Sequence, residues 1–523
     1  VNRLVPSCNN VCTEGMEIYT NSPRVREARR TNIELLLSQH NCDCPNCVRS
    51  GNCSLQAVAN DLGLVRSQYI KDVPVRKWPQ NFPLIRDASK CIKCMRCIQI
   101  CDKVQDLHIW DVSRTGSYAE VGVKNNIDIT ASKCSACGQC ITHCPTGALR
   151  ERDDTQKLTS LHGAFADPDK ITIVQVAPAV RAAWAEQLGL TREEATPEKM
   201  AAALKALGFD YVFDTDFGAD LTIMEEGSEF LYRLKHHDDY QWPMFTSCCP
   251  GWVRFLKGQY PEMAGQLSTA KSPHMMQAAV TKTYVAQKLG IDPSKIYNVS
   301  VMPCVAKKAE ADIPNINDAG YGKDVDLVLT TREMARLVKA YHLDVKDIRP
   351  RAFDTPFGIG TGAGVIFGAT GGVMEAALRT AYYLVTGKNP YPDAFYMVRG
   401  LDGWKEASID IQGTTVKVAV ASGLGNARKL IRALQRHEAE YDFVEIMACP
   451  GGCAGGGGQP IHDGEELAGV RGDNLYFLDR KMKLRFSHEN PEIKQIYEEF
   501  LGSPLSEKSE KLLHTDHFGW DMP

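Results

Sequence analysis

Hydrophobic and polar positions change their period along the chain. From about residue 165 onward, short apolar runs alternate with amphipathic stretches of helical periodicity. The apolar runs predict strands at residues 171–176, 211–214, 244–247, 298–303, 326–329, 416–421 and 443–448. The amphipathic stretches predict helices at residues 197–207, 219–236, 273–289, 332–341 and 372–384. Such alternation is typical of an α/β domain with largely parallel strands.

The first 150 residues follow a different pattern. Residues 23–39 predict a helix, which is followed by a cysteine-rich loop. Residues 71–83 contain three prolines and predict a linker. Residues 86–150 repeat one cysteine pattern twice, which indicates an internal duplication.

Length and charge narrow the classes of protein. The 523 residues allow about three domains. With 60 basic and 64 acidic residues and no long basic run, the chain is not expected to bind nucleic acid. No apolar run reaches 18 residues, so we expect no membrane span. The chain starts at Val1 without a visible leader, so we expect that a segment was trimmed before it, and we infer a cytoplasmic location from the chemistry below.

The 19 cysteines carry the strongest signal, and their odd number and tight spacing argue against a disulfide framework. Two runs share the spacing C-x2-C-x2-C-x3-C. In this ferredoxin pattern three thiolates bind one [4Fe-4S] cluster and the fourth reaches the neighbouring cluster. The predicted ligand sets are Cys91, Cys94, Cys97 and Cys144 for one cluster, and Cys134, Cys137, Cys140 and Cys101 for the other. Structural zinc is the alternative, but zinc prefers two separated cysteine pairs.

A second group combines one imidazole with three thiols. His40, Cys44, Cys47 and Cys53 have loop spacing that suits zinc and a [4Fe-4S] cluster about equally well. Proximity to the ferredoxin pattern favours the cluster. Cys42 does not fit the spacing and is predicted to be a spectator.

Four further cysteines lie in the large α/β region. Cys249, Cys304 and Cys449 each follow a predicted strand, and Cys453 comes shortly after Cys449. Ligands collect at the carboxyl ends of strands in open α/β sheets, so these segments are expected to converge. Buried free cysteines are the alternative. The glycine run at residues 451–458 would allow close backbone approach, whereas the glycines at 360, 362 and 364 predict only a packed turn.

Three segments together resemble the signatures of [FeFe]-hydrogenases: residues 246–252 (TSCCPGW), 302–310 (MPCVAKKAE) and 445–460 (EIMACPGGCAGGGGQP). The resemblance implies an α/β catalytic H-cluster domain of two lobes around a central site at residues 151–523. A ferredoxin-like α+β domain with two [4Fe-4S] clusters would precede it at residues 86–150, and a small His/Cys3 cluster domain at 31–85. Residues 1–30 would be the remnant of a truncated [2Fe-2S] domain, so no [2Fe-2S] cluster is expected.

The resemblance also implies roles for individual residues. Cys249, Cys304, Cys449 and Cys453 would ligate the cubane of the H-cluster, a [4Fe-4S] cluster joined to a two-iron unit that carries CO, cyanide and an azadithiolate. The residues around the two-iron unit would be Lys307, Met302, Met447, Ala177, Pro178, Ser272 and His274, the last of which stands where many members have glutamine.

A proton relay is implied through Cys248, Glu226, Ser268 and Glu229, with Arg233 near the exit. From the residues alone, solvated helix carboxylates are the simpler interpretation of Glu226 and Glu229, which share a helix face. The resemblance favours the relay.

The expected reaction is the reversible reduction of protons to H2, with electrons passing through three accessory [4Fe-4S] clusters. Ferredoxin or a diaphorase-type subunit would be the electron partner, and maturation factors would supply the two-iron unit. A hydrogen-sensing regulatory protein and an iron-sulfur assembly scaffold are the alternatives. The presence of Cys248 weighs against the sensor, and the intact third signature weighs against the scaffold.

Overall fold

The structure is a computed structural model and describes residues 3–66 and 68–523. The N-terminal region contains α1 (Pro23–Ser38) and α2 (Ser54–Asp61). Helix α1 begins at Pro23 because Pro fits the first helical turn and the Ser22 side chain accepts a hydrogen bond from the Val25 amide. The predicted helix at 23–39 is confirmed to within one residue.

Residues 84–151 form a small domain in which the predicted duplication is visible. Its four strands pair antiparallel in two ribbons, β1 (Leu84–Arg86) with β4 (Leu149–Glu151) and β2 (Trp110–Ser113) with β3 (Glu120–Val123). The helices are α3 (Arg96–Gln99) and α4 (Gln139–Thr142). Each begins after a left-handed residue, Met95 at φ 62° and Gly138 at φ 76°, at equivalent positions of the two cysteine runs.

The rest of the chain is built on two four-stranded sheets. One has the order β6-β5-β8-β9 and is fully parallel, with β5 (Ile171–Val176), β6 (Tyr211–Asp214), β8 (Ile296–Met302) and β9 (Leu327–Thr330). The other has the order β10-β11-β12-β7, with β7 (Met244–Phe245), β10 (Trp404–Ile411), β11 (Thr414–Ser422) and β12 (Phe443–Met447). Only β10 and β11 pair antiparallel in this second sheet, so largely parallel pairing is confirmed.

Helices cover these sheets. Their bounds are α5 (Gln156–Thr159), α6 (Pro197–Leu207), α7 (Thr215–Lys235), α8 (Pro250–Gln259), α9 (Pro273–Val280), α10 (Ala286–Leu289), α11 (Ala306–Glu310), α12 (Thr331–Ala340), α13 (Gly362–Ile366), α14 (Gly372–Thr386), α15 (Leu424–Gln435), α16 (Ala468–Lys481), α17 (Pro491–Ile496) and α18 (Glu507–Leu513). The long and mostly buried α7 packs against α9, α13 and α14 and so lies at the centre of the molecule.

Several predicted elements differ from the structure only in their ends; for example, the helix predicted at 219–236 begins at Thr215 and the strand predicted at 244–247 ends at Phe245. Two others differ in kind. The segment at 273–289 is helical throughout, but a π-helical turn at Thr281–Val285 separates α9 from α10. The glycines at 360–364 do not form only a turn, since α13 begins at Gly362. Its Gly364 is required by packing, because a Cβ there would lie 2.7 Å from the carbonyl oxygen of Asp216 in α7.

In the part of the chain that the structure describes, no helix has both the length and the apolar character needed to cross a membrane.

Candidate active site

Three separate segments bring four thiols together between the two sheets. Cys249 follows β7, Cys304 follows β8, and Cys449 and Cys453 follow β12, so each lies at or just beyond the carboxyl end of a strand. Burial, and then the nearby thiols of the other three cysteines, raise the pKa of the Cys453 thiol, so the four thiols lie close together. The Cys249 Sγ also accepts a hydrogen bond of 3.4 Å from the Ala448 amide. The expected convergence of these cysteines is observed.

This thiol set fits an iron-sulfur cluster chemically. Burial raises the pKa of all four thiols, that of Cys304 to about 12, so four thiolates here require a cationic group to balance their charge. Ser272 adds a second indication, because its buried Oγ has no hydrogen-bond partner among the described residues. A bound metal cluster would balance the charge of the thiolates, and its ligands would give the Ser272 hydroxyl a hydrogen-bond partner.

Lys307 lies beside this set in a buried charged network. Its Nζ donates to the Cys248 carbonyl oxygen at 3.1 Å and to Glu310 Oε2 at 2.8 Å. Burial opposes charge on Glu310, but Lys307 and then His274 lower the pKa of this carboxyl to about 2. An ammonium group has three N–H donors, so one remains for a bound group.

His274 contacts the same oxygen of the Glu310 carboxylate as Lys307 does. Burial and the Lys307 ammonium lower its pKa to about 4, so the imidazole is neutral. Its Nε2 lies 2.7 Å from Glu310 Oε2 and its Nδ1 3.2 Å from Ser300 Oγ. Both ring nitrogens therefore have protein partners, which makes His274 a support for Glu310 and Lys307.

The other residues expected around the two-iron unit also lie at strand ends. Ala177 and Pro178 follow β5, Met302 ends β8, and Met447 ends β12. All four are buried. Ser272 lies immediately before α9.

The first half of the implied proton relay lies between Cys248 and α7. Burial and then the charge of Glu226 raise the pKa of the Cys248 thiol well above its usual value. Glu226 is fully buried, and neither of its carboxylate oxygens makes a hydrogen bond to a described residue. Burial and the nearby Glu229 raise its pKa to about 8. The simpler interpretation of Glu226 as a solvated carboxylate is therefore wrong.

The second half is a closed set of hydrogen bonds. Ser268 Oγ donates to Glu229 Oε2 at 2.8 Å, and the Thr269 amide donates to both oxygens of the same carboxylate at 3.2 and 3.1 Å. Arg233 donates to Glu229 Oε1 at 2.6 Å and to the Leu267 carbonyl at 2.9 Å. Arg233 is only 4% exposed, so this end of the hydrogen-bonded set is shielded from solvent.

The ferredoxin-like domain pairs its cysteines across the two runs. Cys91, Cys94, Cys97 and Cys144 line one cavity. Burial, and then the nearby thiols of Cys137, Cys134 and Cys101, raise the pKa of the Cys140 thiol, so these four cysteines lie together. Backbone amides donate to Cys91, Cys101 and Cys134, each at 3.4 Å, as is common for cluster ligands.

The His40 loop packs against this domain. The His40 side chain is buried and its Nδ1 has no hydrogen-bond partner among the described residues. Burial, and then the nearby thiols of Cys42, Cys47 and Cys53, raise the pKa of the Cys44 thiol. A Cβ at Gly147 would lie 2.5 Å from Cys47 Sγ, so the loop approaches the segment that follows Cys144.

The glycine run connects the ferredoxin-like domain to the central site. A Cβ at Gly457 would lie 2.3 Å from the Cys137 carbonyl oxygen, and one at Gly458 would lie 2.8 Å from the Pro303 carbonyl carbon. Cys449 Sγ lies 3.8 Å from the same Cys137 carbonyl. Among residues 3–66 and 68–523, no group of three or more His, Cys, Asp or Glu side chains is arranged as a single-ion metal site.

Two residues of this site, Glu310 and Thr269, have roles that were not predicted from the sequence. The spacing of three residues between Lys307 and Glu310 on one helix was a usable signal for their ion pair. Thr269 acts through its backbone amide, for which the sequence contains no signal.

These features define an iron-sulfur oxidoreductase with a buried catalytic cluster site. The family model "Iron only hydrogenase large subunit, C-terminal domain" matches residues 170–457. The chain belongs to the iron-only hydrogenase family. Further models match residues 465–520 (iron hydrogenase small subunit), 29–68 (NADH-ubiquinone oxidoreductase-G iron-sulfur binding region) and 90–148 (4Fe-4S dicluster domain).

Individual relatives agree with this membership. The NADP-reducing hydrogenase subunit HndD of Solidesulfovibrio fructosivorans is 48% identical over 98% of this chain and 88% of its own length. Iron hydrogenase 1 of Clostridium pasteurianum is 37% identical over 98% of this chain and 89% of its own. The solved structure of a variant of apo [FeFe]-hydrogenase HydA1 from Chlamydomonas reinhardtii covers 69% of this chain and 97% of its own, at 47% identity and a TM-score of 0.62. The chain is a hydrogenase that reduces protons to hydrogen and relays electrons through iron-sulfur sites.

Proposed function

We propose that the four central thiols hold an H-cluster in a cleft between two lobes, each built on one of the two sheets. The observation that carries this assignment is the gathering of Cys249, Cys304, Cys449 and Cys453 beside the buried Lys307 ammonium. The cluster, when bound, supplies the redox chemistry of hydrogen formation and cleavage. The side chains supply orientation, exclusion of water and a path for protons.

Protons reach this site through the chain's own groups. Cys248 holds a proton next to the central site, and Glu226, whose pKa is raised to about 8, exchanges it near neutral pH. Ser268 and Glu229 continue the path, and Arg233 holds the outer carboxylate in place. Lys307 orients a bound anionic ligand with its remaining N–H.

Electrons follow a row of three accessory [4Fe-4S] clusters. The His40 loop lies against the segment after Cys144, and the Cys137 carbonyl contacts Cys449. The order is therefore the His40 site, the Cys91 site, the Cys134 site and the central site. The corresponding domains span residues 31–85, 86–150 and 151–523.

The ligand sets predict the iron content of the unmatured protein. Four [4Fe-4S] clusters require about sixteen iron atoms and as many sulfides. Cys144→Ala should remove about four of each, because Cys144 completes the Cys91 set. The matched control Cys42→Ala, which alters an exposed spectator, should remove none. Iron and sulfide analysis after anaerobic purification measures this, and zinc in place of iron would contradict it.

Replacement of the imidazole ligand should change a potential without removing a cluster. In His40→Cys a fourth thiolate is available, and its negative charge disfavours the added electron. We expect the potential of this cluster to fall while iron content and turnover persist. Redox titration followed by electron paramagnetic resonance measures the shift. Loss of about four iron atoms would refute the assignment of His40.

The electron partner is proposed to be a diaphorase-type subunit. Support comes from the relative HndD, whose name describes an NADP-reducing hydrogenase subunit and which aligns with 98% of this chain. Ferredoxin is the second candidate. NADPH-dependent hydrogen evolution by the matured chain purified with its native partners would support the diaphorase, and activity with reduced ferredoxin alone would support the alternative. We also propose a cytoplasmic location, where free thiols stay reduced.

A further inference from the structure

The C-terminal strap, residues 513–517, pairs with the segment that carries Ser268. The Lys271 amide donates to the Leu513 carbonyl at 2.8 Å, and the Thr515 amide donates to the Thr269 carbonyl at 2.8 Å. His517 Nε2 lies 2.7 Å from the Ser268 carbonyl oxygen. The strap therefore fixes the backbone on both sides of Thr269.

His514 in this strap connects two buried groups. Its Nδ1 lies 2.8 Å from Thr269 Oγ1, and its Nε2 lies 3.1 Å from Glu225 Oε2. Glu225 is fully buried and is held in turn by the Tyr497 hydroxyl at 2.5 Å and the Leu505 amide at 2.9 Å. A carboxylate at one ring nitrogen orients an imidazole so that the other nitrogen is presented at a fixed position.

Thr269, whose hydroxyl contacts His514, lies next to the proposed relay. The Thr269 amide donates to both oxygens of Glu229, and the adjacent Ser268 hydroxyl donates to one of them. A shift of Thr269 would therefore move two of the donors that orient this carboxylate. Glu225 lies on the same helix α7 as Glu229, so the contact network closes into a ring.

We propose that His514 is a positioning residue for the proton relay. Held by Glu225, it fixes Thr269 so that the Thr269 amide and the Ser268 hydroxyl converge on Glu229. The inference rests on the relay proposed above. His514 lies in the region at 465–520 that matches the small-subunit model, whereas the relay lies in the region that matches the large-subunit model. The proposed role of the small-subunit region is therefore to align this proton path.

Isosteric variants separate the two contacts of His514. Thr269→Val removes the hydroxyl at constant shape, and His514→Gln keeps the reach to Glu225 but not to Thr269. Each should lower hydrogen evolution about three- to tenfold, the effect of one lost hydrogen bond, and the double variant should be no worse than either single one. His514→Asn retains a polar atom near the Nδ1 position but loses the contact with Glu225, so it should recover only part of the rate lost in His514→Gln. Thr380→Val is the matched control: it removes the hydroxyl of a second buried Thr–His pair, Thr380 Oγ1 and His488 Nδ1 at 3.2 Å, and should not change the rate.

A second readout is independent of turnover. Amide hydrogen exchange of residues 267–271, measured on the full cluster-loaded but unmatured chain, should accelerate about three- to tenfold in Thr269→Val and His514→Gln and by less in His514→Asn. Faster exchange with unchanged turnover would overturn the positioning role, and so would slower turnover with unchanged exchange or additive losses in the double variant. If Cys248→Ser is itself fully active, the relay has failed; the exchange result then still reports whether the strap holds Thr269.

Discussion

Cys248→Ser is expected to abolish nearly all hydrogen evolution and uptake while every cluster remains bound. Burial and then the charge of Glu226 raise the pKa of the Cys248 thiol above its reference value of about 8.5, but a thiol remains a far stronger acid than a serine hydroxyl. Loss of a positioned acid-base group typically costs about 10²- to 10⁴-fold in rate. The adjacent Cys249 is unchanged, and Lys307 contacts the Cys248 backbone carbonyl, which serine retains.

Two further variants make this result specific. Cys248→Asp restores a titratable group at similar reach and should recover part of the activity. Cys42→Ser, at an exposed cysteine outside the relay, should have wild-type activity. Iron content and viologen-dependent hydrogen assays measure all three variants. Wild-type turnover by Cys248→Ser with an assembled H-cluster would show that the relay is wrong.

Glu226→Gln is expected to lower turnover by about 10²-fold or more, because an amide of the same shape cannot take up and release the proton. Glu226 is suited to that task since burial and then Glu229 raise its pKa to about 8. Hydrogen evolution at neutral pH is the measurement. Glu226→Asp keeps a carboxyl group and should retain part of the rate.

Glu226→Gln should also make the protein more stable than wild type at alkaline pH. The pKa of Glu226 is raised in the folded state, so the native protein binds a proton that the unfolded chain releases between its ordinary value of 4.5 and about 8. Stability from this group is therefore lost as pH rises through that interval. Above pH 8 wild type carries a desolvated carboxylate and Glu226→Gln does not, so thermal unfolding should shift upward in the variant.

A matched control tests whether activity loss follows from any buried carboxyl with a raised pKa. Burial raises the pKa of Glu492 to about 8 as well, but its carboxylate accepts a hydrogen bond from the Ile359 amide at 2.9 Å, away from the relay. Glu492→Gln should keep the wild-type rate. Equal losses in Glu492→Gln and Glu226→Gln would remove the basis for a specific proton path.

The sequence predicted most accurately the elements with strong local signals. Strand β5 (Ile171–Val176) and helix α6 (Pro197–Leu207) have the predicted bounds, because four of the six β5 residues are β-branched and apolar, and because α6 begins with Pro197 and ends before Gly208. Strand β10 was not predicted, since its exposed face carries Glu406, Ser408 and Asp410 in an edge position with only one neighbouring strand. Edge strands lack the apolar pattern of central ones.

Residue spacing and resemblance indicated the candidate ligands, but not how their neighbours are held. Lone residues such as His274 carry no signal for their partners: its contacts with Ser300 and Glu310 join segments far apart in sequence. The unpaired, fully buried state of Glu226 likewise depends on tertiary packing and could not be predicted from helix periodicity.

The infrared spectrum of the matured chain decides whether the four central thiols hold an H-cluster. An H-cluster carries CO and cyanide on iron, so we expect sharp bands of metal-bound CO and cyanide that change when the sample is exposed to hydrogen. We propose that the four thiols hold such a group with Lys307 and Ser272 beside it. A chain with its full iron content that shows no such bands after maturation would contradict the assignment of the central site.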